Sequence, residues 1–192
     1  MGEYDRWREG GVATLETKDG EELGDAAATS DGADGSRMTG RGPEPVPSVA
    51  AIGGHPLHPS VVPLPIGAFV GVFASDLAYA ATGDRFFARS SRLLLGAGIG
   101  TGLLAAGLGA MDFLGRERIR EHGSAWIHAG GNVAAIGLAA VNLMLRRQDE
   151  TGSVVPKGLL LSSVLVGALS VTAWLGGELT YRHRIGVTQS DR

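Results

Sequence analysis

The chain has 192 residues, of which 44% are hydrophobic, and its formal net charge is −3. It contains no cysteine, which excludes disulfides, thiolate catalysis and cysteine-ligated metal or iron–sulfur centres on this chain. It also lacks a basic stripe with interleaved aromatic residues, so no nucleic-acid partner is expected.

The first fifty residues differ in composition from the rest of the chain. They carry eleven acidic and five basic side chains, a net charge of −6, and few large apolar residues. Such a segment buries too little apolar surface to offset its chain entropy. Residues 1–50 are therefore predicted to be a disordered acidic tail that ends in a proline-rich linker. No secretory signal is visible, so the first apolar segment is expected to act as an uncleaved signal anchor.

Residues 51–188 contain four apolar segments of about 22–24 residues, each long enough to cross roughly 30 Å of hydrocarbon. The segments are apolar all round, which argues against a soluble bundle. Their short connections favour antiparallel neighbours. The sequence thus predicts an all-α integral membrane protein, an up-down-up-down four-helix bundle in contact with the lipid bilayer. The predicted spans are about 61–82, 93–115, 123–145 and 158–181.

The second segment is rich in glycine, and two of its glycine pairs are spaced four residues apart, Gly96/Gly100 and Gly98/Gly102. This spacing lets transmembrane helices approach closely. The run follows no strand and has no P-loop lysine, so it does not indicate a nucleotide-binding loop. Glycines also precede Glu178, at 176 and 177, where they either pack helices or admit a flat cofactor.

Orientation in the membrane is weakly specified, because basic residues flank the spans on both sides. By the predicted topology, one face holds Arg41, Arg116, Arg118, Arg120, Arg182, Arg184 and Arg192. The opposite face holds Arg85, Arg89, Arg92, Arg146, Arg147 and Lys157. The positive-inside rule therefore leans only slightly towards a cytoplasmic N-terminus.

Each span contains one ionisable Asp, Glu or His, a costly choice in a bilayer that marks a functional site or a buried polar bridge. Three of these groups are predicted to lie near the face where the chain first enters the membrane. Four histidines flank the spans at that face, at positions 55, 58, 122 and 183. His122 is interpreted as a loop residue and His55 as a cap of the irregular entry, which leaves a predicted cluster of His58, Asp112, His128, Glu178 and His183.

This convergence leaves several interpretations open. Imidazoles and carboxylates at one level suit a divalent metal such as zinc, manganese or iron, with all five residues as candidate ligands. Two facing imidazoles suit a b-type haem, with His58, His128 and His183 as candidate axial ligands. A proton relay is a third use. The structural alternatives are i,i+4 ion pairs from Asp112 to Arg116 and from Glu178 to Arg182.

His128 and Asp76 each have an amide at a matching depth. Asn132 follows His128 at i+4 on the same helix face, so a hydrogen-bonded inter-helix contact is the structural interpretation of His128. Asp76 lies roughly 27 Å deeper than His58 along a helix. Asn142 should reach the level of Asp76, which predicts a buried Asp76–Asn142 bridge or, alternatively, a second station of a relay.

Several stretches are similar to the family called domain of unknown function 2231, over about residues 50–188. The opening stretches, at 54–59 and 62–67, are Gly-His-Pro-Leu-His-Pro and Val-Pro-Leu-Pro-Ile-Gly, followed by Asp76. The closing stretch, at 174–183, is Trp-Leu-Gly-Gly-Glu-Leu-Thr-Tyr-Arg-His. The run Gly-Ala-Met-Asp-Phe-Leu at 109–114 and the position of His128 fit the middle of that family.

The resemblance implies a four-helix membrane protein of bacteria, multi-pass in the plasma membrane. Some relatives are joined to Rieske-type or cytochrome c-type domains, which implies a link to electron transfer. The leading hypothesis is therefore a haem- or metal-binding electron-transfer component, with a redox partner protein or a second copy as its partner. The alternatives are a proton or ion pathway and a structural membrane subunit. No catalytic motif is present, so the chain is not expected to be an enzyme by itself.

Overall fold

The computed structural model describes residues 44–187, and within them the chain is mostly helical. The predicted disordered tail lies outside these residues, except for its last seven. A short antiparallel hairpin comes first, formed by β1 (Ala51–Ile52) and β2 (His55–Pro56). Gly53 and Gly54 connect the strands with φ values of 57° and 80°. A two-residue turn with positive φ at both positions favours glycine, since it has no Cβ to clash.

The helices that follow vary in length. The short helices are α1 (Leu57–Val61) and α4 (Glu117–Arg120). The long helices are α2 (Pro63–Thr82), α3 (Arg85–Gly115), α5 (Gly123–Gln148) and α6 (Leu159–Tyr181). A kinked turn, Val154–Gly158, in which Val155 is extended with φ −120° and ψ 131°, leads into α6. Within residues 44–187, four helical stretches are long and apolar enough to cross a membrane, counting α1 with α2 and the kinked turn with α6. The predicted four-helix membrane fold is confirmed.

Helix α3 begins at Arg85, eight residues before the predicted start of its span. The connection from α2 is only Gly83 and Asp84. Gly83 ends α2 in the left-handed region, with φ 69°, and the Asp84 carboxylate accepts a hydrogen bond from the Phe86 amide at 2.8 Å. A glycine stop followed by an aspartate N-cap turns the chain between two antiparallel helices in very few residues.

The long helices form a square bundle in which α2 and α5 each pack between α3 and α6. Its central apolar cluster comprises Phe69, Val72, Leu95, Ala135, Ala139, Leu165 and Leu169. Glycines permit the close approach: a Cβ on Gly98 would lie 2.6 Å from the Phe69 ring. A Cβ on Gly96 or Gly100, on another side of α3, would meet no described atom of another element within 4 Å. Only one of the two predicted glycine pairs therefore faces the bundle interior.

A second apolar cluster closes the bundle at the end where α2 begins. It comprises the buried residues Val46, Ile119, Ala125 and Leu179. The Val46 amide donates to the carbonyl of Arg184 at 3.0 Å, and the Gly186 amide donates to the Val46 carbonyl at 2.8 Å. The segment before the hairpin is thus held against the segment that follows α6. Trp126, Trp174 and Tyr181 lie exposed near this end, as aromatic residues do at a membrane interface.

Candidate functional site

Polar side chains gather at both ends of the bundle. We call Asp76, Ser91, Asn142, Arg146 and Ser162 the arginine network, and His58 and His128 the histidine pair. The arginine network lies where α2 and α5 end and where α3 and α6 begin. The histidine pair lies at the other end, where the chain enters α2 and α5.

The arginine network is centred on a bidentate ion pair. Arg146 Nη1 and Nη2 lie 2.9 and 2.7 Å from the two carboxylate oxygens of Asp76. The hydroxyls of Ser91 and Ser162 donate to the same carboxylate at 2.6 and 2.8 Å. Arg146 Nε donates to Asn142 Oδ1 at 3.0 Å. Two parallel charge-assisted hydrogen bonds form the strongest geometry available to such a pair.

All five members of this network are fully buried, with 0% of each exposed. Burying two charges is costly unless each is paired and its remaining hydrogen-bonding groups are satisfied. Here the carboxylate accepts from three side chains, and the guanidinium donates to a carboxylate, an amide and a hydroxyl. The network therefore joins α2, α3, α5 and α6 through hydrogen bonds centred on one ion pair, whose two charges cancel.

The sequence predicted a direct bridge between Asp76 and Asn142, and the structure places Arg146 between them. Sequence reasoning assigned Arg146 to the charged outer face and did not select Ser91 or Ser162. One signal was available, because Asn142 and Arg146 are four residues apart and share a helix face. The backbone also makes room: a Cβ on Gly158 would lie 2.7 Å from Arg146 Nη2.

At the other end, the structure brings together His58 and His128. Their ring centroids are 6.4 Å apart and their planes are nearly perpendicular, at 88°. His58 Nδ1 lies 2.8 Å from the carbonyl oxygen of Ala105 on α3. His128 Nδ1 lies 2.8 Å from the carbonyl oxygen of Thr172 on α6. Each imidazole is thus oriented by a neighbouring helix.

These contacts assign the tautomer of both rings. A carbonyl oxygen only accepts hydrogen bonds, so each Nδ1 must carry the proton that it donates. In a neutral imidazole, Nε2 then carries the lone pair that can accept a hydrogen bond or bind a metal. An Nδ1–H donated to a backbone carbonyl is the usual way in which proteins orient a metal-ligating histidine.

Glycines adjoin both imidazoles. A Cβ on Gly109 would lie 2.9 Å from His58 Cε1, and a Cβ on Gly176 would lie 3.0 Å from His128 Cε1. Any larger residue at either position would displace the ring beside it. Asn132 also lies near His128: its Nδ2 donates to the His128 carbonyl at 2.7 Å and is 3.4 Å from His128 Nε2. The i,i+4 relation predicted for Asn132 is thus a contact within α5.

Asp112 holds the segment before the hairpin. Its Oδ1 accepts from the amides of Val49 and Ala50 at 2.6 and 3.1 Å, and the Ser48 hydroxyl lies 2.8 Å from both carboxylate oxygens. Arg116 was the predicted i,i+4 partner of this carboxylate, but within residues 44–187 the two side chains form no hydrogen bond or ion pair with each other. Asp112 therefore caps a loop.

Glu178 and His183 also have partners of their own. Glu178 forms the predicted i,i+4 ion pair with Arg182, at 3.1 Å. The His183 ring stacks on His122, with centroids 4.1 Å apart. Within residues 44–187, no three His, Asp or Glu side chains are arranged to hold one metal ion. The five residues predicted to converge thus separate into a histidine pair, a loop cap, an ion pair and a stacked imidazole.

Comparison with known proteins bears on the whole helical region. The family described as "Predicted membrane protein (DUF2231)" matches residues 54–189, from just before the second strand to beyond α6. Neither the curated proteins nor the solved structures that were searched gave a match. The matched region contains the histidine pair, the arginine network and all four candidate spans. The chain therefore belongs to the DUF2231 family of membrane proteins.

Proposed function

We propose that the histidine pair binds a redox metal, in the form of a b-type haem, and that the protein serves electron transfer in the bacterial plasma membrane. The observation that carries this proposal is the separation of the two rings. With a metal–nitrogen distance of about 2.0–2.1 Å and about 1.1 Å from nitrogen to ring centre, two imidazoles on opposite sides of one metal would have centroids about 6.3 Å apart. The observed centroid separation is 6.4 Å.

Three further features support the same site. Both Nδ1 atoms donate to carbonyls, which leaves Nε2 as the ligating atom of His58 and of His128. Gly109 and Gly176 let α3 and α6 pack directly against the two rings, which holds the imidazoles in place. The bound haem would supply one-electron chemistry, while the protein orients the two imidazoles and sets their surroundings.

In this proposal, Asp76 has a structural role. A proton or ion pathway would need Asp76 to gain and lose a proton or to release a cation. Its carboxylate instead accepts from Arg146 and two serines in a fully buried setting. Neutralising it would leave a buried guanidinium without its partner, at a cost of several kcal/mol. This contact weighs against the pathway alternative.

The test is an absorbance spectrum of the full chain, purified in detergent from cells supplied with a haem precursor and iron. We expect a Soret band that sharpens on dithionite reduction, with new visible bands. His128→Ala and His58→Ala should lose these bands, whereas His55→Ala, on the exposed hairpin, should keep them. A featureless spectrum from the unaltered protein, or full retention by His128→Ala, would overturn the proposal.

A matched pair of glycine variants sharpens the same experiment. Gly109→Ala places a methyl group against the His58 ring, whereas Gly107→Ala meets no described atom within 4 Å. Both changes favour helix equally, since alanine is the better helix former. We therefore expect a shifted or weakened haem spectrum for Gly109→Ala and an unchanged one for Gly107→Ala. Identical spectra would show that the position of the His58 ring does not matter.

A further inference from the structure

A second pair of imidazoles lies at the same end of the bundle as the histidine pair. His122 directly precedes α5, and His183 follows α6. Their centroids are 4.1 Å apart and their planes differ by 33°. Both side chains are half-buried. Sequence reasoning treated His122 as a loop residue and grouped His183 with the histidine pair, so this contact was not foreseen.

Backbone hydrogen bonds fix the position of both residues. The Ala125 amide donates to the His122 carbonyl at 3.0 Å, in the first turn of α5. The His183 amide donates to the Glu178 carbonyl at 3.3 Å, at the end of α6. Ala125 also belongs to the apolar cluster that closes this end of the bundle. The two rings therefore meet because their helices are held together.

The separation of these rings suits adjacent positions on one metal ion. With metal–nitrogen distances of about 2.0–2.1 Å, two imidazoles at angles of about 90–109° have centroids about 4.5–5.2 Å apart. From the observed 4.1 Å and 33°, such a geometry requires the centroids to separate by about 1 Å or less and the rings to turn so that one nitrogen of each points at the ion. Side chains that are half-exposed can make such movements without repacking a core.

The arginines near these two histidines would weaken the binding of a cation, but two of the arginines already have acidic partners. Arg182 is paired with Glu178 at 3.1 Å. Arg120 lies 3.8 Å from Glu117 and donates to the carbonyls of Phe113 and Leu114. These contacts direct the two guanidinium charges towards a carboxylate or the end of α3.

We propose that His122 and His183 bind a divalent first-row transition metal, with zinc as the reference ion and water completing its coordination. Within residues 44–187 no third His, Asp or Glu joins them, so the site is open and its metal exchangeable. The bound ion ties the start of α5 to the end of α6. This inference is independent of the haem proposal, because it uses neither His58 nor His128.

The test is a titration of the full chain in detergent with Zn²⁺ alone, followed by isothermal calorimetry. We expect one zinc site that is weakened by about tenfold or more in His122→Ala and in His183→Ala, since even loss of an outer hydrogen bond costs 10–100-fold at metal sites. His55→Ala serves as the control and should bind zinc as the unaltered protein does, since His55 is exposed on the hairpin. Circular dichroism checks that every variant is folded.

Two results would overturn the inference. One is unchanged zinc affinity in a folded His122→Ala/His183→Ala double variant. The other is loss of the site in His128→Ala with retention in His122→Ala, which would assign zinc to the histidine pair. If His183→Ala does not fold, Cu²⁺ electron paramagnetic resonance of His122→Ala against the unaltered chain decides, because loss of one nitrogen ligand changes the hyperfine pattern.

Discussion

The polar groups at the two ends of the bundle differ in their burial and in how completely they are hydrogen-bonded. In the arginine network the charged groups Asp76 and Arg146 are both fully buried, and they bind each other and three neutral side chains. In the histidine pair each half-buried ring donates from Nδ1 to a carbonyl, and Asn132 Nδ2 lies 3.4 Å from His128 Nε2. The charged groups of the arginine network thus satisfy each other, whereas the Nε2 atoms of the two imidazoles have fewer and weaker contacts. We expect the first end to contribute stability, and we propose ligand binding for the second.

The strongest way to break this comparison is Arg146→Ala. It leaves the Asp76 carboxylate buried without its counter-charge, and removal of one partner from a buried pair costs about 3–5 kcal/mol. We expect the free energy of unfolding in detergent to fall by that amount, measured by denaturant titration. The control is Arg147→Ala, since Arg147 is the exposed neighbour. Equal stability of the two variants would show that the buried pair does not stabilise the bundle.

Ser162→Ala probes the same network more gently. It removes a hydroxyl that donates to Asp76 at 2.8 Å and leaves part of a buried carboxylate unsatisfied, at a cost of about 1–3 kcal/mol. Thermal unfolding followed by circular dichroism measures the difference. Ser163→Ala is the matched control, because that exposed hydroxyl donates only to the Leu159 carbonyl of its own helix. A control that is equally destabilised would refute the assignment.

Much of the fold follows from hydropathy, but the polar contacts do not. The apolar segments predicted the four spans. The predicted second span began after Arg92, because the arginines before that point interrupt the apolar segment, whereas the helix itself begins at Arg85. Arg89 and Arg92 instead reach Glu150. Depth along a helix correctly paired Asp76 with the level of Asn142. The depth of a residue along its helix does not say in which direction around the helix axis its side chain points. Prediction from depth therefore grouped Asp112 and Glu178 with the histidines, although these carboxylates contact other partners.

Asp112→Ala tests the loop contact at the histidine end. It removes the acceptor for the Val49 and Ala50 amides, and we expect a loss of about 1 kcal/mol together with faster hydrogen exchange at those two amides. Exchange measured by mass spectrometry locates the effect. The haem and zinc readouts should be unchanged. Altered metal binding in this variant would instead return Asp112 to the predicted ligand set.

The smallest expected effect is that of Glu178→Gln. The Glu178–Arg182 pair is largely exposed on the arginine side, and such pairs contribute about 0–1 kcal/mol. We expect a shift in the unfolding midpoint that is barely resolved and that disappears at high salt, where exposed charges are screened. A loss as large as that of Arg146→Ala would contradict the distinction between the two ends.

The position of Arg146 has a consequence for how the protein is made. Its partners come from every span: Asp76 from the first, Ser91 from the second and Ser162 from the fourth, through the shared carboxylate. During synthesis the Asp76 carboxylate enters the bilayer before the guanidinium that neutralises it has been translated. The ion pair can therefore form only after α5 has been translated, and Ser162 completes the network later still. The bundle can close only late, when the nascent chain is almost complete.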